Sequence, residues 1–455
     1  MKLETDVLVI GGGMAGLTAA CTAAEAGASI TVVRKGHGAT ADSSGAIDIA
    51  GYLPGGSTPF GSAREGLQAL VGLFPYHPYS VLGRVAADAE SQFDQVLERV
   101  TDSVSSLKRW LSGSPAEVMG SLDHNISAVT VLGSTKPTSL LQTTMTPPEW
   151  DDDSTLLFAG FRGHSDFNAS LAAKTFMAAQ ARLGEPPRRI ADAQLSLAPF
   201  GKPYNVSSIE IARHLDHPGG IDALAEELSG HVERIGATHI ALPPVLGLKR
   251  PAKNRSLLEE LIEAQIFELL SFPPSVPGLR LLRSLDAALI GFGGRILEAH
   301  EAVGYEKSGS EISRIKCTTH HRTLEMLPSS VVIAGGKFIG GGIIGTEDGL
   351  TEPLFGLPVV SEDWTSTAGI RPQRLTRPVS ITSEGHGLFA CGLAVDKLLR
   401  PLDESGDTFA NNLFSAGGMM AGYNYPVEKS GLGVALATGV TAGMNAVERV
   451  QEGRI

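Results

Sequence analysis

The chain has 455 residues, 42% hydrophobic and 19% charged, which describes a globular protein with enough length for two packed domains. Its 37 basic and 49 acidic residues give a net charge of −12, which argues against a nucleic-acid partner and against a broadly cationic membrane surface. A small anionic substrate held by a few local arginines stays compatible with that charge.

Taken in chain order, Asp6–Ile10 (DVLVI) is a short apolar, β-branched run, as in a buried parallel strand. No charged leader, apolar segment and cleavage site precede it, so no secretory signal is expected. Gly13–Ala26 reads as an alanine-rich helix stopped by Gly27, and Ile30–Val33 as a second parallel strand. Together they make a βαβ unit of about 30 residues.

Between about 80 and 280 the character changes. Ser80–Gly113 has a helical period, and Pro-rich breaks follow at Thr146–Pro148, Pro186–Pro187, Pro243–Pro244 and Pro273–Pro274. Helices are expected over Ser207–Leu215, Gly220–Ile235 and Ser256–Leu270, and Glu149–Ser154 (EWDDDS) reads as an exposed acidic loop. Beyond 285, Ala299–Lys307, Glu311–Cys317 and Arg322–Leu327 suggest a β-meander. Ser330–Ala334 and Asn412–Gly417 then read as strands, and Gly431–Val447 as a small-residue helix. The expected fold is α/β: a Rossmann-like FAD/NAD(P)-binding domain in two pieces, 1–75 and 285–455, with an inserted, mainly helical α+β cap over 76–284. No apolar run reaches the roughly 18 residues of a transmembrane helix.

Glycine is abundant, with 54 residues, and clusters beside apolar runs, which suggests close backbone approach to something. Gly11-Gly12-Gly13-Met14-Ala15-Gly16 fits G-x-G-x-x-G, and its place between a strand and a helix gives that motif weight. Gly11 permits the tight turn, Gly13 lets backbone N–H groups, Met14 and Ala15 among them, reach a phosphate, and Gly16 lets helix and strand pack closely. The helix N-terminus adds about half a positive charge. The second strand lacks the acidic residue that ordinarily binds ribose and runs instead into Arg34-Lys35. Arg34 is compatible with a 2′-phosphate; the other readings are that Lys35 or backbone contacts stand in for the carboxylate, or that the adenosine half binds differently or is absent.

Ser43-Ser44-Gly45 places small hydroxyls and a glycine where a phosphate, ribityl chain or flavin ring would pass. Ala334-Gly335-Gly336 closes a later strand. Gly417-Gly418, then Ser430-Gly431-Leu432-Gly433 before a helix, forms a second glycine site. A helix starting at Gly431 would direct its positive end to a flavin pyrimidine and favour the charge that reduction puts there. Three cysteines, Cys21, Cys317 and Cys391, are far apart and odd in number. They read as small buried residues, so no metal site, iron–sulfur cluster or disulfide framework is expected of this chain, and reduced thiols fit a cytoplasmic setting.

Several segments together resemble one family, the B subunits of anaerobic glycerol-3-phosphate dehydrogenase, related to the succinate dehydrogenase/fumarate reductase flavoproteins. They are VLVIGGGMAGLTAA (7–20), SSGAIDI (43–49), AGFRGHSDFNASLAA (159–173), IARHLDHP (211–218), ALPPVLGL (241–248), PPSVPGLRL (273–281), VVIAGGKFIGGGI (331–343) and the long run 398–440. The missing acidic residue after the second strand fits this family. The resemblance implies oxidation of sn-glycerol 3-phosphate to dihydroxyacetone phosphate, with electrons passed toward quinone. It also implies two partners at the cytoplasmic membrane, an A-like flavoprotein and a C-like iron–sulfur protein of the same complex. FMN is the flavin the resemblance implies; a Gly-rich βαβ turn is built for a dinucleotide, so FAD is favoured on physical grounds.

Oxidising a secondary alcohol at a flavin requires a base for the hydroxyl proton and cations for the phosphate. Arg213 and Arg400, with Arg162 and Arg280, are the arginines in family-like segments; His386, between Gly385 and Gly387, is the favoured base, with His164 and His214 as alternatives.

Overall fold

The computed structural model describes residues 2–84, 88–151, 153–184, 189–198, 200 and 205–453. The expected Pro186–Pro187 break and Asp152 of the acidic loop lie outside them. Strand β1 (Lys2–Ile10) leads through the glycine turn into helix α1 (Met14–Glu25) and strand β2 (Ile30–Arg34). β1 pairs in parallel with β2 on one side and with the long strand Thr323–Ile333 on the other. The main sheet runs in the order Arg295–Glu298, β2, β1, Thr323–Ile333, Glu311–Thr318, Glu301–Ser308.

Two strands expected at Arg322–Leu327 and Ser330–Ala334 are one, Thr323–Ile333. Its first residues pair antiparallel with Glu311–Thr318, and its last pair in parallel with Leu413–Ser415. β1 lies beside nearly its whole length, so the continuous partner carries the strand across Pro328. Arg295–Glu298, which no sequence signal singled out, adds in parallel outside β2.

α1 packs against the C-terminal helix Gly431–Glu452 through small residues. A Cβ on Gly439 would lie 2.5 Å from the Ala15 carbonyl oxygen, and one on Gly443 2.5 Å from that of Ala19. The two backbones therefore meet directly, which fixes both helix N-termini beside the C-terminal edge of the sheet.

The helices Ala63–Leu73 and Ala89–Leu111, and Leu281, Leu285 and Leu289 of helix Val276–Gly291, join this same core. The separately packed core of the insert is narrower than the expected cap. It is built on four parallel strands in the order Gln265–Glu268, His239–Leu242, Thr155–Phe161, Arg189–Leu195. The helix expected over 256–270 is instead Pro251–Ile262, ended by Glu263 in the left-handed region, and Gln265–Glu268 is a strand. Ile266 and Phe267 are fully buried there. A short apolar run packs equally well in a helix or a buried strand, and the free sheet edge at His239–Leu242 selects the strand.

Candidate functional site: a glycine-lined cavity at the sheet edge

The turn from β1 to α1 is held by contact with the neighbouring strand. Gly11 has φ +114°, and a Cβ on it would lie 2.1 Å from the Ala334 carbonyl oxygen, so glycine is required twice over. A Cβ on Gly16 would lie 1.9 Å from the Gly11 carbonyl oxygen, which fixes how closely α1 sits on its own turn. The first-turn amides of α1 have no partners within the helix. That of Met14 donates to Thr40 Oγ1 at 2.8 Å, tying the helix end to the loop after β2.

Here a cavity of ≈ 940 Å3 opens, near the upper end for a ligand site. Among the residues expected to hold a cofactor, Gly11, Gly13, Met14, Ala15, Arg34, Lys35, Ser43, Ser44, Ala334, Gly335, Gly336, Gly418, Gly431 and Leu432 line it. Gly16, Gly45, Gly417, Ser430 and Gly433 do not; they pack behind the wall. A Cβ on Gly433 would lie 2.6 Å from the Asp48 carbonyl oxygen. Ser430 is buried, with its hydroxyl on Glu428 at 2.9 Å. So the N-terminus of Gly431–Glu452 reaches the cavity through Gly431 and Leu432, with the flanking residues as support.

Among the described residues, two buried polar atoms of the lining, Ser43 Oγ and Asp48 Oδ1, find no hydrogen-bond partner. The other oxygen of Asp48 takes an ion pair from Lys136 at 2.5 Å. Orphaned polar atoms beside a glycine-lined helix end suit a phosphorylated, hydroxyl-bearing ligand.

Arg34 requires a correction. Its guanidinium is buried, donating to both carboxylate oxygens of Asp286 at 2.8 Å each and to Glu298 on the adjacent strand. Its stem packs where a Cβ on Gly12 would be, 2.4 Å from Arg34 Cδ. A guanidinium so committed supports the turn from below and does not receive a 2′-phosphate. Lys35 is exposed at the cavity wall and pairs with Glu301 at 2.8 Å.

The three favoured catalytic residues are not brought together, and none lines the cavity. His386 Nδ1 accepts from the Arg377 amide at 3.0 Å, and its Nε2 meets the Ser380 carbonyl at 3.1 Å. Both ring nitrogens are occupied with loop backbone, which leaves no free base. Arg400 pairs with Asp396 at 2.7 Å, and Arg213 is exposed on the insert helix Ser208–Leu215. Of the alternatives, Arg280 is fully buried against Glu268, through contacts of 2.6 and 2.9 Å, as part of the insert's packing. His164 bonds Ser208 at 3.0 Å, and burial lowers its pKa below the usual histidine value. His214 stacks edge-on against Phe200, also with a lowered pKa from burial, and Arg162 is exposed.

What the sequence reading passed over is Lys337, Phe389, Tyr423 and Glu352 in the lining. Lys337 follows Gly335-Gly336 directly, and a lone cation in the run AGGKFIGGG was the available signal. Glu352 is buried, accepting the amides of Leu354 and Phe355 at 3.0 and 2.7 Å; burial nevertheless raises its pKa.

Comparison with known proteins places this geometry. The family described as FAD binding domain matches residues 6–434. A Pectobacterium carotovorum protein named as the B subunit of anaerobic glycerol-3-phosphate dehydrogenase is 31% identical, with 95% of this chain and 96% of that one covered. The chain belongs to this family of FAD-binding proteins. A second relative of that name, from Pectobacterium atrosepticum, is 30% identical over 95% of this chain and 96% of its own. One from Halobacterium salinarum, named as a probable B subunit of the same enzyme, is 29% identical over 99% and 100%. A solved quinol–fumarate reductase with menaquinol aligns at TM-score 0.44 and 10% identity, covering 100% of this chain and 72% of that one, too distant to bear on the assignment. Within the family the flavin is FAD, as the dinucleotide turn led one to expect, and the protein is an oxidoreductase subunit whose relatives' names imply further subunits. Gly11–Ala15 with the α1 N-terminus would hold its phosphates, and Gly431–Leu432 the ring end.

Proposed function

We propose that this chain is the FAD-bearing B subunit of a glycerol-3-phosphate dehydrogenase. In this reading the complex oxidises sn-glycerol 3-phosphate to dihydroxyacetone phosphate and sends the electrons toward quinone. An A-like flavoprotein and a C-like iron–sulfur protein complete it. The single observation that carries the reading is end-to-end similarity, at 31% identity, to a protein bearing that name, in a chain whose glycine turn, helix end and orphaned hydroxyl converge on one cavity. FAD, when bound, supplies a two-electron acceptor; the chain's residues bind it, exclude water and position its charged groups. Among the described residues no helix is long and apolar enough to cross a membrane, so membrane contact in this proposal runs through the partners from the cytoplasmic side.

A second reading rests on the placement of Arg213, Arg400 and His386 away from the cavity. It makes the chain a carrier of electrons and an assembly partner without its own substrate site. One experiment separates the two. The FAD-loaded chain is mixed anaerobically with sn-glycerol 3-phosphate, alone and assembled with its partners, and flavin absorbance is followed. Bleaching of the isolated chain supports a substrate site here. Bleaching only in the complex, with substrate affinity unchanged by Arg213→Ala and Arg400→Ala, supports the carrier reading. No bleaching in either, in a complex of verified composition, overturns the assignment of substrate.

A further inference from the structure

Lys337 is a charged side chain of the cavity wall whose hydrogen-bond acceptor is a neutral backbone carbonyl. It sits in the turn after Gly335-Gly336 and is buried. Its ammonium donates to the backbone carbonyl of Phe389, a neutral acceptor, and stands 4.8 Å from the centre of the Tyr423 ring. Phe389 and Tyr423 both line the cavity, so the amine is held between two wall residues.

The groups facing it supply little charge. Glu428 attracts it from a distance, but that carboxylate is already committed to His77 at 3.1 Å, the Asn424 amide at 2.5 Å and the Ser430 hydroxyl at 2.9 Å. Cys391 is a buried thiol, pushed up to about 11 by burial and so neutral at physiological pH. The Tyr423 phenol is raised by burial and neutral as well. An isolated ammonium in such surroundings is costly, and burial brings Lys337 down to about 7.

We infer that Lys337 is a proton-coupled phosphate site: its amine takes a proton from solvent as a phosphate-bearing anion enters the cavity. The balance is simple. One proton leaves the buffer, an R–NH2 becomes R–NH3+, and the new cation offsets the incoming negative charge. The ligand class is a phosphate ester or pyrophosphate, supplied either by the flavin nucleotide or by a phosphorylated substrate. The inference rests on the reading of this cavity as the FAD site.

The test is calorimetric titration of the full-length chain, freed of flavin, in two buffers of different ionisation enthalpy, at pH 6 and pH 8. FAD, FMN and sn-glycerol 3-phosphate are the three ligands, and quenching of flavin fluorescence reports flavin binding separately. The expected result with FAD is clear proton uptake at pH 8 that shrinks strongly at pH 6, where the amine is already largely protonated before binding. FAD carries no phosphate group that titrates in this range, so its uptake belongs to the protein. Uptake with FAD assigns the flavin phosphates; uptake with sn-glycerol 3-phosphate on the FAD-loaded chain, and none with FAD, assigns the substrate. Lys337→Met and Lys337→Gln should abolish uptake at pH 8, and Lys337→Arg should bind without it. The wild-type comparison of the two pH values stands even if a variant fails to fold. FAD that binds with no uptake, or with equal uptake at both pH values, overturns the inference alone unless the substrate then shows the uptake. FAD that does not bind overturns the cavity reading and the inference with it.

Discussion

Arg34 and Asp286 join the end of β2 to the helix Val276–Gly291 by two parallel N–H···O bonds of 2.8 Å. The pair lies directly beneath the glycine turn at the cavity, since the Arg34 stem fills the space beside Gly12. A bidentate guanidinium fixes direction as well as distance. The end of the second strand, where a dinucleotide-binding fold ordinarily places a ribose-binding acid, here carries a brace.

Removing the brace should cost stability more than nucleotide choice. Arg34→Met leaves Asp286 partly buried without its cation and should lower unfolding free energy by about 2–3 kcal/mol, less than a fully buried pair because Glu298 is half exposed. Urea unfolding measures it. The same variant should show no change in discrimination between NADP and NAD in a binding assay; a loss of NADP binding specific to the variant would restore Arg34 as a phosphate receptor.

Gly11 and Gly27 share a left-handed backbone but not a neighbourhood. Gly11→Ala drives a Cβ into the Ala334 carbonyl at 2.1 Å and should abolish FAD retention, read as the flavin-to-protein ratio after purification. Gly27→Ala meets nothing within 4 Å and should cost only about 1–2 kcal/mol, with FAD retained. Equal loss of flavin in both variants would mean that the tight approach to Ala334 is not what matters.

Glu428 sets part of the acid limit. Burial opposes its ionisation, but His77, the Asn424 amide and the Ser430 hydroxyl outweigh that and hold the carboxyl below its usual 4.5. A carboxyl lowered in the folded state contributes stability that is complete above its unfolded pKa and is lost as pH falls through the lower folded value. Stability should therefore decline from about pH 4.5 downward, and Glu428→Gln should flatten that limb while costing about 3 kcal/mol at pH 7. Thermal melts across pH 3–7 give both numbers.

His386 pins a loop. With its ring between the Arg377 amide and the Ser380 carbonyl, His386→Ala should release residues 377–385 and speed cleavage after Glu384 by a glutamate-specific protease at least severalfold. FAD affinity should stay within about twofold. Unchanged proteolysis, or a large loss of turnover with an intact loop, would return His386 to the chemistry.

The sequence by itself determined the strand–glycine-turn–helix unit at the N-terminus. Strand, glycine turn and helix at 6–34 are a local design: each residue's role follows from its immediate neighbours, and G-x-G-x-x-G between an apolar strand and a helix leaves few alternatives. Helices such as Gly220–Ile235 were legible for the same reason, since their period is written in consecutive residues. Only the tertiary structure decided the rest. Whether Gln265–Glu268 is helix or strand depended on a free sheet edge at His239–Leu242, and whether Arg34 grips a ligand or a carboxylate depended on Asp286, 252 positions on. Lys337 took its character from burial beside Phe389 and Tyr423, and His386 from the loop folded over its ring. Charge and hydrogen-bond partners come from whatever the fold places within a few ångströms, and one-dimensional spacing does not encode that distance.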